Sequence, residues 1–84
     1  MSAWPSKWAG KTWTTSDGDF SEHRLRLMLS AVPDSRAMWA AVVGTTASDR
    51  RVDRAMQLLR HAGLIVYVDR QWRRTDDGDA VVSR

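Results

Sequence analysis

The sequence predicts a mainly α domain carrying a small β-hairpin, with three helices followed by two short antiparallel strands. Three observations lead to that expectation. Apolar residues recur at three- and four-residue spacing in three separate stretches between Ser21 and Ala62. Each stretch ends at a residue that stops a helix: Pro33, Gly44 or Gly63. After the third stop comes Leu64-Ile65-Val66-Tyr67-Val68, a run of strand formers, and then a turn and a second short run.

The first 20 residues read as an arm, because Pro5, Gly10 and Gly18 interrupt them and neither apolar period runs through them. They nonetheless hold Trp4, Trp8 and Trp13, three of the five tryptophans, and disordered tails are poor in aromatics. Two readings stand side by side. The rings either cover this chain's own small core or form a dimer or protein-partner contact.

Ser21 caps the first helix, with Glu22 and His23 in its opening turn and a buried stripe at Leu25, Met28, Leu29 and Val32. Asp34 or Ser35 caps the second, from about Arg36 to Val43, whose apolar face is Met38, Trp39, Val42 and Val43. Thr45 to Ala47 form a turn, and Ser48 caps the third helix, which runs to about His61. Thr46-Ala47-Ser48-Asp49 also fits a capping box. Val52, Ala55, Met56 and Leu59 form the inner stripe of this helix, while Arg50, Arg51, Asp53, Arg54 and Gln57 fall on its outer side.

Asp69-Arg70-Gln71 makes the hairpin tip, and Trp72-Arg73-Arg74-Thr75 the return strand, with Trp72 packed on the core. Asp76-Asp77-Gly78-Asp79 breaks that strand, and a short helix or frayed tail follows. The expected organisation is an arm over residues 1–20, a domain over 21–79 and a tail over 80–84.

Composition narrows the function. The chain has 84 residues, enough for one modest core, and its 43% hydrophobic content is that of a folded protein. Without cysteine it can form neither disulfides nor thiolate metal sites, which fits a cytoplasmic protein. The longest apolar run, Ala37 to Val43, is too short for a bilayer, and no signal-peptide pattern opens the sequence. Net charge is +3. Positive charge peaks over residues 44–62 and 63–75, which carry +2 each, and the last nine residues carry −2.

Three helices and a hairpin in this order resemble the winged helix-turn-helix domain, and the resemblance reaches individual residues. Arg36-Ala37-Met38-Trp39-Ala40-Ala41-Val42-Val43-Gly44 is similar to the second helix of MarR- and ArsR-type bacterial or phage regulators, with Trp39 in a leucine position. Ser48, Val52, Arg54, Met56, Leu59, Ala62, Gly63, Leu64 and Ile65 follow the pattern of their recognition helix. Arg73-Arg74-Thr75-Asp76-Asp77-Gly78 resembles the end of their wing. The likeness covers about Glu22 to Gly78 and implies a small transcriptional regulator that binds double-stranded DNA.

Under that resemblance, the helix over about 48–61 enters the major groove, its N-terminal half nearest the bases, and the wing over 64–75 lies on the backbone or in the minor groove. Arg50, Arg51 and Arg54 are suited to guanine, Asp53 to a cytosine amino group and Gln57 to adenine. Asp49 and Asp53 can equally pair with neighbouring arginines along the helix. Arg70, Arg73 and Arg74 suit phosphate or minor-groove contact. Adjacent strand residues point to opposite faces, so one of Arg73 and Arg74 faces DNA and the other solvent or an acidic neighbour. Lys7 and Lys11 can reach phosphates from the arm.

A homodimer reading two half-sites is the expected assembly. Other readings are a protein-interaction module built on the same fold, or an excisionase-like factor that bends DNA. No catalytic motif, metal-ligand spacing or cofactor fingerprint occurs, so neither enzymatic activity nor a cofactor is expected.

Overall fold

The computed structural model describes residues 3–43 and 49–83. Among them are four α-helices and two antiparallel hairpins, a mixed α and β arrangement around one core. A single 3-10 turn, Ser6–Trp8, precedes β1 (Thr12–Thr15) and β2 (Gly18–Ser21). Then come α1 (Glu22–Ala31), α2 (Ser35–Val42) and α3 (Arg50–His61), followed by β3 (Ile65–Val68), β4 (Gln71–Arg74) and α4 (Asp76–Val82). Gly44 to Ser48, and with them the expected helix stop, turn, serine cap and capping box, lie outside the described residues.

Residues 3–20, expected as part of an arm, instead pack on the core through a 3-10 turn and a hairpin. Thr12-Trp13-Thr14-Thr15 consists of β-branched and aromatic residues, and it pairs with Gly18–Ser21 in register Trp13↔Phe20 across a Ser16-Asp17 tip. Gly18, at φ +129°, lets the chain re-enter β2. Each strand buries only one side chain, Trp13 or Phe20, so no alternation long enough to read exists in the sequence.

The aromatic rings form a column. Trp4 meets Trp8 edge to face at 4.9 Å, Trp8 meets Trp13 likewise at 5.8 Å, and Trp13 stacks on Phe20 at 5.3 Å. Glu22, in the first turn of α1, fastens the column. Its carboxylate accepts from the Trp4 indole Nε1 at 2.8 Å and from the Gly10 backbone N–H at 2.9 Å. The Arg26 guanidinium sits over the Trp4 ring at 4.4 Å and 3.8 Å from the same carboxylate.

The helices start where side chains can satisfy their free N–H groups. Ser21 Oγ accepts from Arg24 N, and Asp34 Oδ1 accepts from Ala37 N, so α2 begins at Ser35. The cap of α3 is Asp49. At the other end of α3, Gly63 (φ +78°) turns left-handed, with Gly63 N donating to Arg60 O and Leu64 N to Leu59 O. This is a Schellman ending, and it aims the chain directly into β3.

The core joins Leu25, Met28 and Leu29 of α1, Met38 and Val42 of α2, and Val52, Ala55 and Leu59 of α3 to Leu64 and Ile65. The acidic run after β4 opens a helix instead of fraying. Thr75 Oγ1 accepts from Gly78 N, three aspartates complement the helix dipole in the first turn, and Val81 is buried. The chain therefore has no packing boundary at Ser21 or at Ala80.

Gly78 abuts the Leu64 backbone, and a methyl group there would overlap the Leu64 carbonyl oxygen, whereas one at Gly63 would meet open space. Gly78→Ala should cost about 2–3 kcal/mol by overpacking, and Gly63→Ala only about 1–2 kcal/mol through its left-handed backbone. Urea denaturation of both variants tests that order. The Gly10 N–H, the Trp4 indole and then Arg26 hold the Glu22 carboxyl below the ordinary glutamate range. Its contribution to stability is complete above that range and is lost as pH falls through and below it. Thermal melts from neutral to acidic pH should show a shallower acid-side decline for Glu22→Gln than for the parent chain.

Candidate nucleic-acid interface

The face of α3 turned away from the core is a polar ridge. Val52, Ala55 and Leu59 are fully buried, while Arg50, Asp53, Arg54, Gln57, Arg60 and His61 are exposed. At 100° per residue, Arg50, Arg54, Gln57 and His61 fall within about 60° of arc and span roughly 16 Å of helix. Asp53 and Arg60 flank the ridge on one side. Among the described residues no carboxylate pairs with Arg50, Arg54 or Arg60.

Arg51 is not part of this ridge. Asp49 Oδ1 accepts from its backbone N at 2.7 Å and its Nε at 3.1 Å, and Oδ2 accepts from Nη2 at 2.9 Å. This forked bond holds the Asp49 carboxyl below the ordinary aspartate range and raises the Arg51 guanidinium, with Asp17 and Asp19 adding to the field. The guanidinium lies against Gly18, where a Cβ would stand 3.2 Å from Nη1. It lines a depression of about 530 Å³ together with Asp19, Ser21 and Arg24. The expectation that Arg51 reads bases is therefore corrected: its guanidinium is held by Asp49, the cap of its own helix, and lies beside Gly18 of the N-terminal hairpin. Asp49 pairs with an arginine from the cap position and two residues away, not along the helix at three- or four-residue spacing, and Asp53 forms no ion pair among the described residues.

The N-terminus of α3 is closed by carboxylates. Asp17, at the tip of the β1–β2 hairpin, accepts from Arg50 N at 2.8 Å, and Asp49 takes the next N–H. A helix N-terminus binds anions through such free N–H groups. Here the chain's own acids hold them.

The β3–β4 hairpin turns on two residues, not three. Asp69 and Arg70 both have positive φ (52° and 65°), the type I′ geometry, and Val68 pairs with Gln71. Arg70 stands at the tip, and Arg70 and Arg73 are exposed. Arg74 faces inward. Its Nη1 donates to the carbonyls of Leu29, Ser30 and Val32 at 3.3, 3.1 and 3.0 Å, and its Nε donates to Asp79 at 2.9 Å. It clasps the C-terminal end of α1 to the hairpin and to α4, so a DNA contact by Arg74 is corrected to a structural role. Trp72 packs against the core and meets Tyr67 edge to face at 5.1 Å. β3 beyond Ile65 is apolar and open, with Val66, Tyr67 and Val68 at 40%, 56% and 41% exposure.

Trp4, Trp8 and Trp13 are 6%, 4% and 6% exposed. Of the two readings for these rings, the geometry supports the one in which they cover the chain's own core, and it leaves little ring surface for a partner. Arg60 and His61, to which the sequence assigned no place on the binding face, are exposed beside Arg54 and Gln57. The spacing i, i+4, i+7 and i+11 from Arg50 already places His61 on the ridge. No helix of the described residues is long and apolar enough to cross a membrane, and they contain no cluster of three or more metal-ligating side chains. No protein-family model matches the chain, and neither a curated protein nor a solved structure matches it.

The two adjacent arginines should separate cleanly by stability. Arg74→Ala removes the bonds to three carbonyls and to Asp79, and should cost about 2–3 kcal/mol. Arg73→Ala should stay within about 0.5 kcal/mol of the parent, as exposed substitutions do. Denaturant midpoints of the two variants check this.

Proposed function

We propose that this chain binds double-stranded DNA as a small winged-helix regulator, with α3 in the major groove and Arg70 and Arg73 of the β3–β4 hairpin on the backbone. The observation that carries the reading is the ridge of α3: two arginines without an ion pair among the described residues, Arg50 and Arg54, and Gln57 on one line, opposite a wholly apolar inner face. An α-helix fits the major groove, arginine can donate two parallel bonds to guanine and glutamine can pair with adenine. Sequence-specific binding by so small a module is best served by two copies on two half-sites.

The hairpin tip supports the same reading from its strain. Both central positions of a type I′ turn favour glycine or asparagine, and a non-glycine residue there costs roughly 1 kcal/mol. Arg70 occupies one of them. A charged side chain held at such a cost is suited to a ligand outside the chain.

A second reading is favoured by the apolar hairpin. Val66 and Val68 have nothing to offer phosphate oxygens and Tyr67 has only its hydroxyl, whereas an open strand edge carrying apolar side chains can accept a protein strand. In this reading the domain is a protein-interaction module.

A labelled duplex titrated across a salt series decides between the two. Under the DNA reading, log affinity falls linearly with log salt, and Arg54→Ala lowers affinity by about 1–3 kcal/mol and relaxes base preference. Arg70→Gly should raise stability by about 1 kcal/mol while reducing the salt slope by about 1. Salt-independent or absent duplex binding, with Arg54→Ala without effect, would leave the interaction reading in place.

A further inference from the structure

The closed N-terminus of α3 has a consequence for where a polyanion can lie. Asp17 and Asp49 occupy the N–H groups of Arg50 and Arg51, and Asp19 lies in the same acidic field around Arg51. A phosphate approaching that end meets carboxylates instead of free amides, so the helix dipole offers it no site. Further along the helix the situation reverses. Arg54 is exposed without an ion pair among the described residues, and the ridge ends on exposed His61.

Beside His61, α3 meets the 3-10 turn at the N-terminus. Pro5, Lys7 and Trp8 on one side and Leu58, His61 and Ala62 on the other enclose a cleft of about 310 Å³. Trp8 is buried and meets Trp4 and Trp13 edge to face. Lys7 is exposed at the rim and has no ion-pair partner among the described residues. The other polar side chain of the cleft is His61, whose ring adds a donor.

We infer that Lys7 and His61 form a backbone anchor for duplex DNA at the C-terminal end of α3, so that the interface runs along the side-chain ridge from Arg50 and Arg54 to the 3-10 turn, without the N–H groups of the acid-capped start. This rests on the DNA-binding reading and adds to it an element that lies outside the three helices and the hairpin. The ridge from Arg50 to His61 is about 16 Å long by helix geometry. That is comparable with the roughly 12 Å width of a major groove, so side chains at its far end can reach the groove's edge.

The experiment compares two lysines in the same N-terminal segment. Lys11 carries the same charge as Lys7 but lies over the Trp13 ring, 5.7 Å from its centroid. Fluorescence anisotropy of a labelled duplex is measured from low to physiological salt for the parent chain, Lys7→Gln and Lys11→Gln, each first shown to be folded by its thermal melt. Loss of one phosphate contact lowers the magnitude of the salt slope by about 0.9, which near 0.1 M salt corresponds to an affinity loss of about eightfold. Lys7→Gln should show both changes and Lys11→Gln neither.

Equal effects of the two substitutions would mean that only net charge matters and would overturn the anchor while leaving DNA binding intact. A parent-like Lys7→Gln would overturn it in the same way. A parent chain without salt-dependent duplex binding would remove the DNA reading itself, and the anchor with it.

Discussion

Everything in this fold rests on the attachment of the tryptophan column to Glu22. An 84-residue chain can bury only a limited fraction of its surface, and the three helices supply mostly medium-sized aliphatic side chains to the core. Trp4, Trp8, Trp13 and Phe20 add the large rings that complete it. Their backbone is held by few regular hydrogen bonds, since β1 and β2 are four residues each. One carboxylate at the start of α1 takes both an indole N–H and the backbone N–H of Gly10, which converts a glycine- and proline-interrupted segment into a layer of the domain. That layer in turn holds α3, because both strands of the first hairpin pack against the helix and Asp17 at the hairpin tip accepts from Arg50 N.

Once that layer is in place, the arginines divide by geometry. Arg26, Arg51 and Arg74 are committed to the protein: one to an indole face, one to the cap of α3 and one to the carbonyls that end α1. Each sits where a neighbouring element supplies the acceptor. Arg50, Arg54, Arg60, Arg70 and Arg73 have no such acceptor among the described residues and stay exposed. A basic stretch thus contains two kinds of arginine, and the division decides which of them can meet a ligand.

The parts legible in the sequence were those governed by local physics. Ser21, Asp34, Pro33 and Gly63 each act within one turn of their own position, and the stripes at Leu25, Met28 and Leu29 and at Val52, Ala55 and Leu59 follow helical period. The first hairpin was not legible, because a four-residue strand with one buried side chain has no period to detect. The destination of Arg74 was not legible either. Strand alternation showed that Arg73 and Arg74 must part, but which one turns inward depends on where α1 ends in space, 42 to 45 residues earlier in the chain. The pairing of Asp17 with Arg50 N spans 33 residues and is likewise a product of the fold.

That last contact changes how the polar ridge of α3 has to be understood. A helix that meets DNA end-on uses its free N–H groups and dipole as well as its side chains, and the two contributions normally reinforce each other. Here they are separated. The N–H groups of Arg50 and Arg51 are taken by Asp17 and Asp49, which stabilises the junction between hairpin and helix and withholds those two amides from a phosphate. Attraction for an anion then depends on side chains alone, so it is strongest where arginine and lysine are free of carboxylates. The same carboxylates that lock α3 in place therefore push any nucleic-acid contact along its flank, toward the end where the N-terminal segment comes to lie beside it.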